Sequence, residues 1–112
     1  MNGIVHIVDD DEAIRDALGW LLQSRGLHWR SYKSAEDFLL ASAQAQAGCL
    51  ILDIRMGGMS GLELFAQLAD TGFPLPVIFL TGHGDVPMAV SALKKGAFDF
   101  FEKPFNDNEL VN

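Results

Sequence analysis

The sequence predicts an α/β fold, a doubly wound sheet of five parallel strands with helices on both faces, and three observations carry that reading. Four short apolar runs recur along the chain with room for helices between them, IVHIV, CLIL, VIFL and FDFF, and a further short strand is expected around Leu27 to Tyr32. Continuous runs of this kind belong to strands buried on both faces. The segments between them carry helical periodicity and capping residues, and strand and helix alternating five times implies right-handed crossovers within one sheet. The third observation is chemical. The four runs stop at Asp9 and Asp10, at Asp53, at Thr81 and, through Glu102, at Lys103. In open α/β sheets the ligand crevice lies beyond the carboxyl ends of the strands, so one sheet edge gathers these groups. A polar residue of any kind would stop an apolar run; the particular types are the main pointer to function.

Taken in order, IVHIV forms the first strand. Behind the acidic Asp11 and Glu12, apolar residues Ile14, Ala17, Leu18 and Leu21 recur at helical spacing, with Arg25 in the last turn and Gly26 as the stop. A strand around Leu27 to Tyr32 leads to Ser34, which can cap a helix carrying Phe38 and Leu39 before ASAQAQAG ends it. CLILD is the third strand, followed by a glycine-rich loop. Ser60 and Glu63 have the spacing of a capping box ahead of Leu62, Phe65 and Leu68 on one helical face. FPLP closes that helix and VIFL makes the fourth strand. Asp85, with Pro87 in the first turn, opens a helix ending at Lys94, Lys95 and Gly96, and FDFF is the fifth strand. Asn106 and Glu109 then resemble a cap and its partner, with only Leu110, Val111 and Asn112 after them. Isolated helices need ~12 to 15 residues, so the expectation is an excised domain with its last helix truncated and apolar surface left exposed.

At 112 residues the chain is sized for one domain. No apolar run approaches the ~18 residues of a membrane span, and MNGIVHIVDDDE lacks the basic region and apolar core of a secretory signal, so a cytoplasmic location is expected. The formal net charge of −7 argues against direct contact with nucleic acid, which requires clustered Lys and Arg. The single cysteine, Cys49, is read as a small buried apolar residue, with nothing nearby to lower its thiol pKa. His6, inside an apolar strand, reads as a hydrogen-bonded core residue, and Met56, Met59 and Met88 as packing rather than a metal box. His83, in the loop TGHGD, stays undecided.

Asp9, Asp10 and Asp53 gathered at one edge would repel each other by ~1 kcal/mol per pair at 4 Å in water and ~4 at an effective dielectric of 20. A Mg²⁺ ion held by one or two carboxylates plus waters offsets that repulsion and leaves positions open for phosphate oxygens. Lys103 adds a second positive charge and the Thr81 hydroxyl a donor, a combination suited to phosphoryl transfer onto a carboxylate. No GxxxxGK[ST] loop is present, so nucleotide is not the expected donor. Each residue alone has a commonplace alternative: Asp9 to Asp11 as favourable charge at a helix start, Asp53 and Thr81 as loop or turn formers, Lys103 as surface charge.

With these residues in place, VHIVDDDE, LDIRM, MSGLEL, TGHGDVPMAV and GAFDFFEKPF resemble the receiver domain of bacterial two-component response regulators, and more narrowly its FixJ-type branch, whose members usually join a receiver to a LuxR-type helix-turn-helix. The resemblance covers residues 1–112, and a DNA-binding effector domain would lie outside this chain. It implies the flavodoxin-like strand order 2-1-3-4-5 and Asp53 as the phosphoacceptor, with Thr81 and Lys103 assisting. It further implies that Asp10, Asp53 and the Arg55 backbone carbonyl ligate Mg²⁺, for which Mn²⁺ can substitute, while Asp9 acts through the metal's water shell. Thr81 and Phe100 would form a switch pair, and the bond between Lys103 and Pro104 would be cis. The implied partners are a sensor histidine kinase, the chain's own effector domain and a second copy on phosphorylation, with no membrane and no direct nucleic acid. The domain would catalyse only its own aspartyl phosphorylation and dephosphorylation, switching output contacts to control transcription. One departure stands out: the family commonly has proline after Met56, where this chain has Gly57 and Gly58, adding backbone freedom that bears on loop order and phosphorylation kinetics.

Two other readings remain at this point. A phosphatase or phosphotransferase of the haloacid-dehalogenase type also uses an Asp nucleophile and Mg²⁺, although its usual DxDxT start is replaced here by DIRMG. A receiver-like domain that binds partners without phosphorylation is disfavoured because every charge needed for acyl phosphate chemistry is present.

Overall fold

A computed structural model describes residues 3–41 and 48–103. The elements run β1 (Ile4–Val8), α1 (Glu12–Ser24), β2 (His28–Tyr32), α2 (Ala35–Ala41), β3 (Gly48–Asp53), α3 (Gly61–Asp70), β4 (Val77–Thr81), α4 (Val86–Lys94) and β5 (Asp99–Glu102), with a single 3-10 turn (His83–Asp85) ahead of α4. The five strands are all parallel in the order β2-β1-β3-β4-β5, so the expected fold class and strand order are both present. The sequences expected to end the second helix and to begin a last one, including Pro104, Asn106 and Glu109, lie outside the described residues.

Local chemistry sets the helix starts. Asp11 caps α1, its side chain accepting from the Ala13 N–H at 2.9 Å. Ser34 Oγ accepts from the Asp37 N–H at 3.0 Å, and Ser60 and Glu63 close the full capping box at the start of α3. Asp85 occupies the cap position of α4 but makes no cap hydrogen bond, because its carboxylate is used elsewhere. Two details of α1 differ from the sequence expectation. Ala17 is exposed and Leu22 is buried in its place, and Arg25 stands at the C-cap, just past the last turn. Apolar residues at 17, 18, 21 and 22 satisfy two overlapping helical stripes, and only the position of the sheet selects between them.

Successive strand residues point to opposite faces, which gives two cores. Val8, Leu50, Leu52 and Phe79 pack with Phe38, Leu64, Phe65, Leu68, Ala89 and Ala92 beneath α2, α3 and α4. Val5, Ile7, Ile51 and Leu80 pack with Leu18 and Leu22 beneath α1. Each fully buried Leu, Ile or Phe contributes roughly 1.5–3 kcal/mol of transfer free energy. His6 is buried in the first of these faces, its Nδ1 paired with the Tyr32 hydroxyl at 3.1 Å, and burial, helped by the Arg30 charge, lowers its pKa. It is the satisfied core histidine that the sequence suggested. Cys49 is half-buried, and burial pushes its thiol pKa up.

Candidate functional site

Parallel register brings the chemistry to one edge. Val8 pairs with Leu52, Asp53 with Leu80 and Thr81 with Glu102, so the residues that follow each run leave the sheet side by side. The Lys103 N–H donates to the Thr81 carbonyl at 2.8 Å, which anchors the lysine beside the end of β4. From there its Nζ donates to Asp9 Oδ2 at 3.0 Å and to Asp53 Oδ1 at 3.2 Å.

The three carboxylates are held differently. Asp9 is fully buried (0 % exposed), and its Oδ1 also accepts from the Asp11 N–H at 2.9 Å, while Arg15 Nη1 donates to its carbonyl at 2.8 Å. Asp53, at 6 % exposed, has Lys103 as its ion-pair partner. Burial is the largest influence on Asp53 and the negative charge of Asp9 adds to it; together they overcome the pull of Lys103 and raise the carboxyl pKa to about 6. The ammonium shows the converse balance. Burial disfavours its charge, but the hydrogen bond and charge of Asp9, with those of Asp53, outweigh burial and hold its pKa above the ordinary lysine value. Asp10 is exposed, and its Oδ2 accepts from the Gly57 N–H at 3.2 Å. A proline at position 57 has no N–H and could not make this contact.

One oxygen from each of Asp9, Asp10 and Asp53 lies within 4.8 Å of the others. Three hard oxygen donors, one of them open to solvent, fit a Mg²⁺ ion that keeps several waters. Thr81 is fully buried, its hydroxyl donating to the Gly82 carbonyl at 3.0 Å. Phe100 is half-buried and packs against the core beneath α4. The Arg55 side chain turns away from the carboxylates: its Nε–H is shared between both Asp85 oxygens at 2.8 and 2.7 Å, which ties the loop after β3 to the start of α4. Asp9, Asp10, Asp53, Thr81 and Lys103 thus converge on the carboxylate cluster or the strand end beside it, whereas Phe100 and the Arg55 side chain point elsewhere.

Three supporting residues were not visible in the sequence as such. Glu36 on α2 accepts from the Met59 N–H at 3.2 Å and lies against Gly58, whose φ of +73° suits glycine. Asp85 reads locally as a cap and becomes the Arg55 partner only in three dimensions. Gly61 returns α3 over the acceptor strand: its N–H donates to the Ile54 carbonyl at 2.9 Å, and a Cβ there would collide with the Asp53 carbonyl. A glycine directly after a helix cap was the one available signal.

Comparison with known proteins agrees with this geometry. The family model for the response regulator receiver domain matches residues 5–112. The chain is 55 % identical over 114 residues to the C4-dicarboxylate transport transcriptional regulatory protein DctR of Rhodobacter capsulatus, covering 100 % of this chain and 58 % of that protein. It is 50 % identical over 107 residues to the transcriptional regulatory protein FixJ of Azorhizobium caulinodans, covering 96 % of this chain and 51 % of that one. The chain therefore spans about half the length of the curated relatives it matches. Among solved structures, FixJ-N superposes with a TM-score of 0.92 at 46 % identity over 99 % of this chain and 89 % of that chain. Full-length FixJ from B. japonicum gives 0.93 at 43 % identity, covering 99 % of this chain and 55 % of that chain. A cluster of two buried acids and one exposed acid with a bridging lysine, at the edge of a 2-1-3-4-5 sheet, together with a family match along nearly the whole chain, makes this chain a member of the response regulator receiver domain family.

Proposed function

We propose that the domain accepts a phosphoryl group from the phosphohistidine of a sensor kinase onto Asp53, with Mg²⁺, and that the modification changes dimerisation or contact with a C-terminal DNA-binding effector domain to control transcription in the cytoplasm. The observation that carries this reading is the buried Asp53 carboxylate bridged by Lys103 to Asp9. Lys103 engages Asp53 Oδ1, which leaves Oδ2 to attack phosphorus in line while the bond from phosphorus to the kinase imidazole breaks. The ammonium is placed to neutralise charge on a phosphoryl oxygen, and the Thr81 hydroxyl needs only to turn from the Gly82 carbonyl to donate to another. Asp10, Asp53 and the Arg55 carbonyl would hold the metal and Asp9 would act through its water. Bound there, Mg²⁺ would supply positive charge to the phosphoryl oxygens.

The phosphoryl group carries roughly −1.5 to −2 charge and draws Thr81 and Lys103 toward it. Phe100 then turns into the space that Thr81 leaves, reshaping the surface of α4 and β5. Reaction is confined to the domain's own phosphorylation and dephosphorylation, and residues 1–112 act as the phosphoacceptor unit. The test is intact mass after incubation with acetyl phosphate, with Mg²⁺ or with chelator. A phosphate-sized adduct that requires Mg²⁺ and disappears in Asp53→Asn is the expected result. An adduct that survives Asp53→Asn, or that forms equally in chelator, overturns the assignment.

A further inference from the structure

Both tryptophans of the chain line one cleft at the β2 edge of the sheet, with β1 between that edge and the acceptor strand. Asp16, Trp20 and Gln23, a single stripe of α1, face Trp29 of the edge strand β2 across an open cleft of about 250 Å³. Trp20 is 75 % exposed, so its indole is open to a partner. Trp29 approaches the helix closely because residue 19 has no side chain: a Cβ there would sit 2.7 Å from the indole ring. A glycine inside a helix costs about 1 kcal/mol relative to alanine, and here it seats the indole.

The chemistry of the lining selects a cation. Indole faces are the best aromatic partners for positive charge, and the Asp16 carboxylate stands one turn before Trp20. Among the described residues Asp16 makes no hydrogen bond or ion pair. Nor, among the described residues, does a basic side chain line the cleft. Arg15 is committed to the Asp9 carbonyl, and Arg30 lines the opposite face of the sheet with His6. The cleft is smaller than the ~300–1,000 Å³ typical of sites for drug-sized ligands, which suits one extended side chain. A planar guanidinium can stack on an indole while its edge pairs with a carboxylate, which an ammonium cannot do.

We propose that this cleft is a docking site for an arginine side chain presented by a partner protein, stacked on Trp20 and Trp29 and paired with Asp16. The proposal concerns α1 and β2 and stands apart from the acid cluster, so it is tested without phosphorylation. The chain's two indole Nε1–H cross-peaks in a ¹⁵N–¹H spectrum both report on the cleft. The probe is a blocked pentapeptide with one central arginine, compared with the same peptide carrying neutral citrulline.

The expected result is saturable movement of both indole peaks by the arginine peptide with a dissociation constant on the order of 1 mM, and little movement with citrulline. Asp16→Asn is expected to weaken binding about three- to tenfold and Trp20→Ala at least about tenfold. Both side chains are exposed, and undisturbed dispersion of the remaining peaks shows that the variants are folded. Equal response to arginine and citrulline, no saturation up to about 20 mM, or full binding by Asp16→Asn overturns the proposal. Movement of both peaks with protein concentration alone also overturns it, since a second copy of the chain would then fill the cleft.

Discussion

Replacing Asp53 by asparagine should make the metal-free domain more stable, although it removes the proposed acceptor and one ion pair. Burial and the neighbouring Asp9 charge raise the Asp53 pKa from 3.8 to about 6 in the folded state. A shift of about two units corresponds to about 3 kcal/mol by which the ionised form is disfavoured on folding. Asparagine keeps a polar group that must still be desolvated, which reduces the expected gain to about 1–2 kcal/mol. Lys103 is not orphaned, because Asp9 remains 3.0 Å away. The pH dependence follows in sign. Between about pH 4 and 6 the folded wild type holds a proton that the unfolded chain has released, so its stability falls as pH rises through that window. The advantage of Asp53→Asn is therefore fully developed above pH 6 and fades toward pH 4. Urea melts of both chains in chelator at pH 7.5 and pH 4 measure it, with a midpoint gain of roughly 0.5–1 M at the higher pH. A variant no more stable than wild type at pH 7.5, or a gap of equal size at both pH values, would refute the assignment of an unfavourable buried charge.

Lys103→Met leaves the fully buried Asp9 without its cation and should destabilise the domain by about 2–4 kcal/mol at pH 7, read by chemical denaturation; it should also abolish the acetyl phosphate adduct. Gly61→Ala drives a methyl into the Asp53 carbonyl and should cost at least about 2 kcal/mol, whereas Gly57→Ala, where a Cβ meets nothing within 4 Å, should stay within about 0.5 kcal/mol in the same melts. Asp85→Asn removes an ion pair whose Arg55 partner is solvent-exposed although Asp85 itself is mostly covered, and should change global stability by no more than about 1 kcal/mol. Its mark should instead be faster amide hydrogen exchange at the start of α4, and unchanged exchange there would show that the Arg55 contact does not hold the helix.

What was readable in the sequence was local. The apolar runs specified β1, β3 and β4 because near-continuous burial leaves a compositional trace, whereas β2, an edge strand with no fully buried residue, was legible only from its place between two helices. Ser60 with Glu63, and Asp11 ahead of α1, marked helix starts because a cap satisfies N–H groups only two or three residues away. The acid cluster was legible because a strand's end is a position in the sequence, and parallel strands put all such ends at one edge. Ala17 shows where this fails: local periodicity admitted it to the buried stripe, and the orientation of α1 on the sheet placed Leu22 there instead.

The tertiary structure alone decided which charges pair. Lys103 reaches Asp9 across ninety-four positions of sequence, a contact set by the β1-β3-β4-β5 order and the anchoring of Lys103 to the Thr81 carbonyl. Asp85 has the local pattern of a helix cap, yet its carboxylate serves Arg55 because the two loops emerge from adjacent strands. Gly57 meets Asp10 for the same reason, and Trp29 meets Gly19 because α1 packs across β2. Backbone propensities and caps act over a few residues and are written into them, whereas side-chain partnership depends on strand order and register, which exist only once the sheet is assembled.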